Sequence, residues 1–278
     1  MKKIFEKTII FISVLAAAAR IPLAAKYMDF KILQYKYKIF AGLKYEIYIC
    51  AFAAVIIFIL AKRTAAKSVN VCANISGTKA EKIVRTAVGA AFMMDTIYVV
   101  YGIYMEYYAY KDYFVAKFPY IYITRAIFGT AASIWYLFFE DKKNYAGAVI
   151  GIAPALCMGI RVYEVFCDGS IAGNSPYKTG NILALCVCML FLLSEVKSRY
   201  RDMLFEDVPE KNILENEYAM SAVYTFCALA ICVPNIYISI NMYVTNAESI
   251  VFGVVNVLIG IYSFIKFYNF RTIPATQE

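Results

Sequence analysis

The chain has 278 residues, 62% of them hydrophobic, with mean hydropathy +0.60 and formal charge +8. Soluble domains hold about 45–50% apolar residues, so this composition excludes a water-soluble globular fold. Histidine is absent, which excludes His-ligated metal sites and catalysis with an imidazole base, and the scattered Lys and Arg form no continuous basic face for nucleic acid.

A helix needs about 20 apolar residues to cross a hydrocarbon core about 30 Å thick. Runs that fit start near Ile9, Ile47, Val88, Tyr120, Ala146, Ile182, Tyr218 and Ile250, with short connections between them. The sequence therefore predicts an all-α polytopic transmembrane bundle of about eight spans, forming a single integral membrane domain over 1–278.

Met1-Lys2-Lys3 before the first run superficially resembles a signal peptide. The run continues through Leu23 and Ala25 and contains Arg20, so a retained first helix is expected. Between spans 1 and 2, Lys26, Lys31, Lys36, Lys38 and Lys44 interleave with Tyr27, Phe30, Ile32, Leu33, Tyr35, Tyr37, Ile39 and Phe40. That mixture suits a segment lying among lipid headgroups, and an unspecialised charged loop is equally consistent.

Span 3 carries Asp95, and span 4 carries Arg125. Tyr98, Tyr101, Tyr104, Tyr107, Tyr108, Tyr110 and Tyr113 run from span 3 into its loop, and Tyr120 and Tyr122 open span 4. Tyrosine gathers where bilayer meets water, so these mark an interface; a tyrosine-lined ligand site is the sharper alternative.

In span 5, Gly147, Gly151, Ala155 and Gly159 recur every four residues, a small-residue stripe that admits a neighbouring helix. Arg161 and Glu164 fall on another face, which predicts a helix inside the bundle, and Pro154 is expected to kink it. In span 6, Cys186 and Cys188 point about 200° apart on a helix and read as small hydrophobes rather than a metal or redox site. Glu195 is expected at the membrane interface, and residues 197–209 to form a short surface helix and turn. Asn235 follows Pro234 in span 7, a second expected kink, and Asn256 lies in span 8.

Orientation follows from the basic residues. With the N-terminus inside, cytoplasmic segments hold 17 Lys and Arg against 8 outside, which predicts N-in, C-in. Counting depth at about 1.5 Å per residue puts Arg20, Arg125, Arg161, Glu164, Asn235 and Asn256 in the outer half of the membrane, with Asp95 nearer the inner side.

A charge in hydrocarbon costs at least about 2.5–3.5 kcal/mol, so an embedded charge is a functional hypothesis by default. Three arginines, two asparagines and one carboxylate in one layer suggest a positive, outward-opening site for an anionic small molecule or lipid headgroup. Against this stands a plain structural reading. Arginines near an interface snorkel. Arg161 and Glu164 can pair on their own helix, as can Arg125 with Asp95 between neighbouring spans.

Pro154, Arg161, Phe166, Asn174-Ser175-Pro176, Lys178, Glu195 and Arg199, within residues 147–201, form a pattern that resembles uncharacterised multi-spanning membrane proteins of Gram-positive bacteria. The resemblance implies a bacterial cell-membrane protein and no particular chemistry. It also gives the Asn174-Ser175-Pro176 turn some weight.

No nucleophile–base set, phosphate loop or acidic metal motif points to an enzyme, a cofactor or a metal. Two roles remain: a binding or scaffold subunit whose embedded charges meet a membrane-protein partner or lipids, and a transporter with a polar site built around Arg20, Arg125, Arg161 and Glu164. The first is the leading expectation. The second differs in requiring the charged faces of spans 1, 4 and 5 to line one cavity.

Overall fold

A computed structural model describes residues 2–31, 33–35, 45–67, 70–72, 78–109, 120–139, 144–204, 208–242 and 247–273. Among these residues, eight helical spans are long and apolar enough to cross a membrane, and the chain is an all-α, multi-pass membrane bundle. In chain order the helices are α1 (Lys2–Tyr27), α2 (Glu46–Lys67), α3 (Lys79–Ala109) and α4 (Tyr120–Phe138). They continue with α5 (Tyr145–Ile150), α6 (Ala153–Cys167), α7 (Pro176–Arg199) and α8 (Arg201–Leu204). The last are α9 (Glu210–Cys227), α10 (Val233–Ile240) and α11 (Ala247–Asn269). Span 5 is α5 with α6; span 7 is α9, a π-helical turn at Ala228–Cys232, and α10.

The helices start earlier than the apolar runs because their first turns are amphipathic: α3 begins at Lys79 rather than Val88, and α9 at Glu210 rather than Tyr218. Residues 62–67 and 79–86, outside the apolar runs, are therefore helical. Between α2 and α3, Asn70–Cys72 (β3) pairs antiparallel with Arg271–Ile273 (β4), tying the segment after α11 to the first half of the chain on the face where α1 begins. We call this the terminal face and its opposite the far face.

Span 7, not span 5, is the central helix. It is 72% buried against 39% for span 5. It packs against α1, α2, α7 and α11. Its sequence explains this: Ala219, Ser221, Ala222, Thr225, Cys227 and Ala230 are small and lie all round the helix, so neighbours approach on every side. Helices α1 and α2 lie at the edge, with Phe11, Leu15, Ile49 and Phe52 exposed as lipid-facing residues.

The expected kink at Pro154 is a break. Residues Gly151 and Ile152 separate α5 from α6, and Pro154 stands at the start of α6, where its missing N–H leaves no bond unmade. The small-residue stripe serves two neighbours. A Cβ on Gly151 would meet Trp135 Nε1 of α4 at 2.9 Å, whereas one on Gly159 would meet Met189 Sδ of α7 at 3.5 Å. Gly147 and Ala155 on the same stripe are buried.

Of the segment expected among headgroups, residues 32 and 36–44, with Lys36, Tyr37, Lys38, Ile39, Phe40 and Lys44, lie outside the described residues. The described part folds onto the bundle as a small hairpin, Met28–Asp29 (β1) with Gln34–Tyr35 (β2). Its Met28 and Leu33 are buried with Ala24, Tyr177 and Ile238. Leu33 takes φ 53° at the hairpin turn. Its carbonyl accepts from Ser175 Oγ at 2.6 Å, and Gln34 Nε2 donates to Asn174 Oδ1 at 2.7 Å. The Asn174-Ser175-Pro176 turn thus holds the hairpin while Pro176 opens α7. Tyr101, Tyr104, Tyr107 and Tyr108 are exposed along the far end of α3; Tyr110 and Tyr113 lie outside the described residues.

Candidate functional site

Five charged side chains from four spans meet in the far half of the bundle. Arg125 of α4 clamps Asp95 of α3 with both edges of its fork, Nη2 to Oδ1 at 2.6 Å and Nε to Oδ2 at 3.3 Å. Its Nη1 donates to Glu164 Oε2 of α6 at 3.0 Å and to Glu248 Oε1 of α11 at 2.5 Å. Arg161 Nη1 donates to the same two oxygens, at 2.8 Å and 2.6 Å. Both guanidinium groups lie over the Phe252 ring, 5.2 Å and 5.0 Å from its centre. Planar forks, shared carboxylates and an aromatic floor hold the cluster rigidly.

Counting residues from Val88 puts Asp95 nearer the terminal face, away from Arg125. The structure puts them in contact. The count fails because the membrane does not start where the apolar run does on a 31-residue helix.

Arg20 sits apart. It donates to Glu46 Oε1 at 3.1 Å from Nη2 and 3.3 Å from Nε, and to Asn235 Oδ1 at 3.4 Å. Its Nη1 donates to the Ala230 carbonyl at 2.9 Å. Pro234 has no N–H to offer that carbonyl four residues back, so Arg20 supplies the donor that proline removes. The other Glu46 oxygen accepts from Tyr35 of the hairpin at 2.7 Å. Burial, followed by the Glu46 charge, pushes the Tyr35 hydroxyl up, so it stays a donor at ordinary pH.

Beside these clusters lies a cavity of about 450 Å³, walled by the start of α4, by α6, α7, the π-helical turn, α10 and α11, and reaching the 168–171 loop of the far face. Arg161, Glu164, Glu248, Asn235 and Asn256 line it, with Asn181, Ser239 and Phe252. Asn235 Nδ2 donates to Asn181 Oδ1 at 2.7 Å, and Tyr177 and Ser239 share a 2.8 Å hydroxyl bond. Lys178 Nζ donates to the carbonyls of Asp168 at 2.6 Å and Ile171 at 3.4 Å, which fixes the loop at the mouth.

Arg161, Glu164, Asn235 and Asn256 therefore share one cavity. Arg125 and Asp95 stand behind its wall, and Arg20 reaches it only through Asn235. The expected faces of spans 1, 4 and 5 do not line a single cavity. Nor do the three arginines form a positive layer: Glu46, Asp95, Glu164 and Glu248 face them. Sequence reasoning misses Glu46 and Glu248 because each opens a helix at the edge of an apolar run. An acid in a first turn is favoured by the helix dipole, and that position was the available signal.

Sequence reasoning also misses a second polar cluster near the terminal face. Glu195, four residues before the end of α7, is fully buried within the protein. It accepts from Tyr262 and, at 3.3 Å, from Tyr136, and pairs with Arg199 at 3.2 Å and Lys266 at 3.4 Å. Lys266 also reaches Glu217 at 2.7 Å, and Arg199 stacks 5.1 Å over Trp135. This cluster packs α4, α7, α9 and α11 together. Beyond it, α8 supplies the expected short helix, with Arg201 paired to Asp202 and Glu210.

No family model, curated protein or solved structure matches the chain.

Proposed function

We propose that the protein binds a small polar solute in the far-face cavity and carries it across the membrane. The observation behind this is a cavity other than the one expected: Arg20 and Arg125 of spans 1 and 4 stay outside it, and Arg161 and Glu164 of span 5 line it with residues of spans 6 to 8. Its volume lies in the range of small-molecule sites, and it holds a buried Arg161–Glu164 pair and a discontinuous helix in its wall. Cys232 and Asn235 line it from either side of Pro234, where the π-helical turn interrupts span 7. Irregular helices beside polar midplane sites recur in secondary transporters.

The alternative, a subunit whose charges meet a partner's helices, finds less support. The charges turn inward and pair with one another, and the outer faces of α1 and α2 are apolar. An anionic solute is also less well served than the arginines alone suggested, since carboxylates already engage each of them. The setting of the proposal is a bacterial cell membrane, with the N-terminus inside.

Native cysteines give a direct test. A small, charged methanethiosulfonate added to the far face should modify the exposed Cys167 and, because it lines the cavity, the buried Cys232, and spare Cys157, Cys188 and Cys227, which are buried away from the cavity. If neither Cys232 nor the cysteine of an Ile236→Cys variant, at a partly buried position of the cavity wall, is modified, the cavity is closed to water and the proposal is lost.

A further inference from the structure

Among the described residues, the charges that line the cavity are Arg161 on one side of the balance and Glu164, Asp168 and Glu248 on the other. Behind the wall Arg125 and Asp95 cancel one another. At the mouth the Lys178 ammonium, held on the Asp168 and Ile171 carbonyls, offsets the Asp168 carboxylate. The charges of this end of the bundle therefore sum to one carboxylate in excess. Arg125 and Arg161 both direct Nη1 at Glu164 Oε2 and at Glu248 Oε1, so two carboxylates divide the same pair of donors. Of these groups Glu248 is the most open: its side chain is 24% exposed, against 10% for Arg161 and 6% for Glu164. A solute in the cavity thus meets a carboxylate more readily than a guanidinium.

We infer that the solute is a small organic cation of single charge, an ammonium, seated with its charge beside Glu248. The assignment rests on the cavity reading above. One positive charge brings the set to neutrality, which an enclosed site of low dielectric favours. A zwitterion or a neutral solute leaves the excess carboxylate as it is, and an anion adds to it. The neutral polar groups of the wall do not choose among solutes, because they already bond one another: Asn235 to Asn181, Asn256 to the Phe252 carbonyl, and Tyr177 to Ser239. A bare metal ion fits poorly, since no group of three acidic or thiol side chains among the described residues could hold one. An organic cation also uses the rest of the wall. Tyr122, Tyr177, Leu185 and Ile236 offer apolar surface to a carbon skeleton, and tyrosine rings attract an ammonium.

The test uses the full chain in nanodiscs of zwitterionic lipid, with propylammonium and choline as probes. Propionate, alanine and propanol, of similar size, supply the other charge states, all at one sodium chloride concentration. Either cation should raise the unfolding temperature, since a ligand that binds only the folded state stabilises it. The three controls should not. Glu248→Gln leaves Arg125 and Arg161 with Asp95 and Glu164, a neutral set in which every charge keeps an opposite partner. It should weaken the cation response about tenfold or more, the loss of one charged contact. A second readout follows labelling of the Ile236→Cys variant, residue by residue, by mass spectrometry. There a methanethiosulfonate bearing trimethylammonium should outpace one bearing sulfonate by about tenfold beyond their ratio with a free thiol in solution. The cation is overturned, and the cavity reading left standing, by any of four results. These are no response to either cation, an equal response to the controls, an undiminished response in Glu248→Gln, and labelling at the free-thiol ratio. If neither Cys232 nor the introduced cysteine reacts with either reagent, the cavity reading itself is lost.

Discussion

Arg20 and Ala230 lie 210 positions apart, and a 2.9 Å bond from guanidinium to carbonyl joins them. It latches the first span to the seventh at the point where Pro234 and the π-helical turn interrupt the helical ladder. The same guanidinium touches Asn235 in the cavity wall, so hairpin, first span and cavity share one polar junction.

Arg20→Met should destabilise the protein by about 3–5 kcal/mol, because Glu46 is left buried without its counter-charge. Pro234→Ala restores an N–H for the Ala230 carbonyl. In that background Arg20→Met should cost measurably less. Equilibrium unfolding in detergent of both single variants and the double variant checks this, and strictly additive costs would contradict the latch.

Two glycines predict opposite results. A Cβ on Gly260 of α11 falls on the Cβ of Ala228 at the start of the π-helical turn, so Gly260→Ala should cost about 1–3 kcal/mol through overpacking. A Cβ on Gly102 in α3 would meet nothing within 4 Å, and Gly102→Ala should be neutral or stabilise by up to about 1 kcal/mol. Melting temperatures of the two variants decide the matter, and equal losses would mean the close α11–span 7 contact is not there.

Glu195→Gln should lower stability by about 3–5 kcal/mol, leaving the charges of Arg199 and Lys266 short of a partner. Tyr262→Phe removes one donor to the same carboxylate and should cost only about 1–3 kcal/mol. Labelling of Cys232 should be unchanged in Tyr262→Phe, because this cluster braces the terminal face and does not line the cavity. Loss of Cys232 labelling there would tie the two clusters together.

Reporter fusions at Asn144 and Asn174 flank span 5 and should read opposite sides of the membrane, with residue 174 outside. A cytoplasmic signal at 174 would invert the orientation that the basic residues favour.

The spans were legible because hydrophobic length is a local property. So was the charge on them: Arg20, Asp95, Arg125, Arg161 and Glu164 are all buried. Partnership was less legible. Counting residues from an apolar edge misplaces Asp95, since a helix does not begin where its apolar run does. Glu46 and Glu248 sit in first turns, where an acid looks like solvent-facing trim, yet both fold back to arginines. Centrality was hidden too. Span 5 advertises itself with glycines, whereas span 7 occupies the middle with Ala, Ser, Thr and Cys set among the buried Tyr218, Tyr224 and Phe226.

The Asp95–Arg125 clamp bears on how the chain enters the bilayer. Its two halves belong to consecutive spans that pack against each other, so α3 and α4 can partition as a hairpin with opposite charges already joined. Glu248 emerges 123 residues after Arg125, on the eighth span among the described residues. Synthesis therefore delivers two neutral pairs first, Asp95–Arg125 and then Arg161–Glu164, and the fifth charge later, so the cavity takes this wall only when α11 arrives.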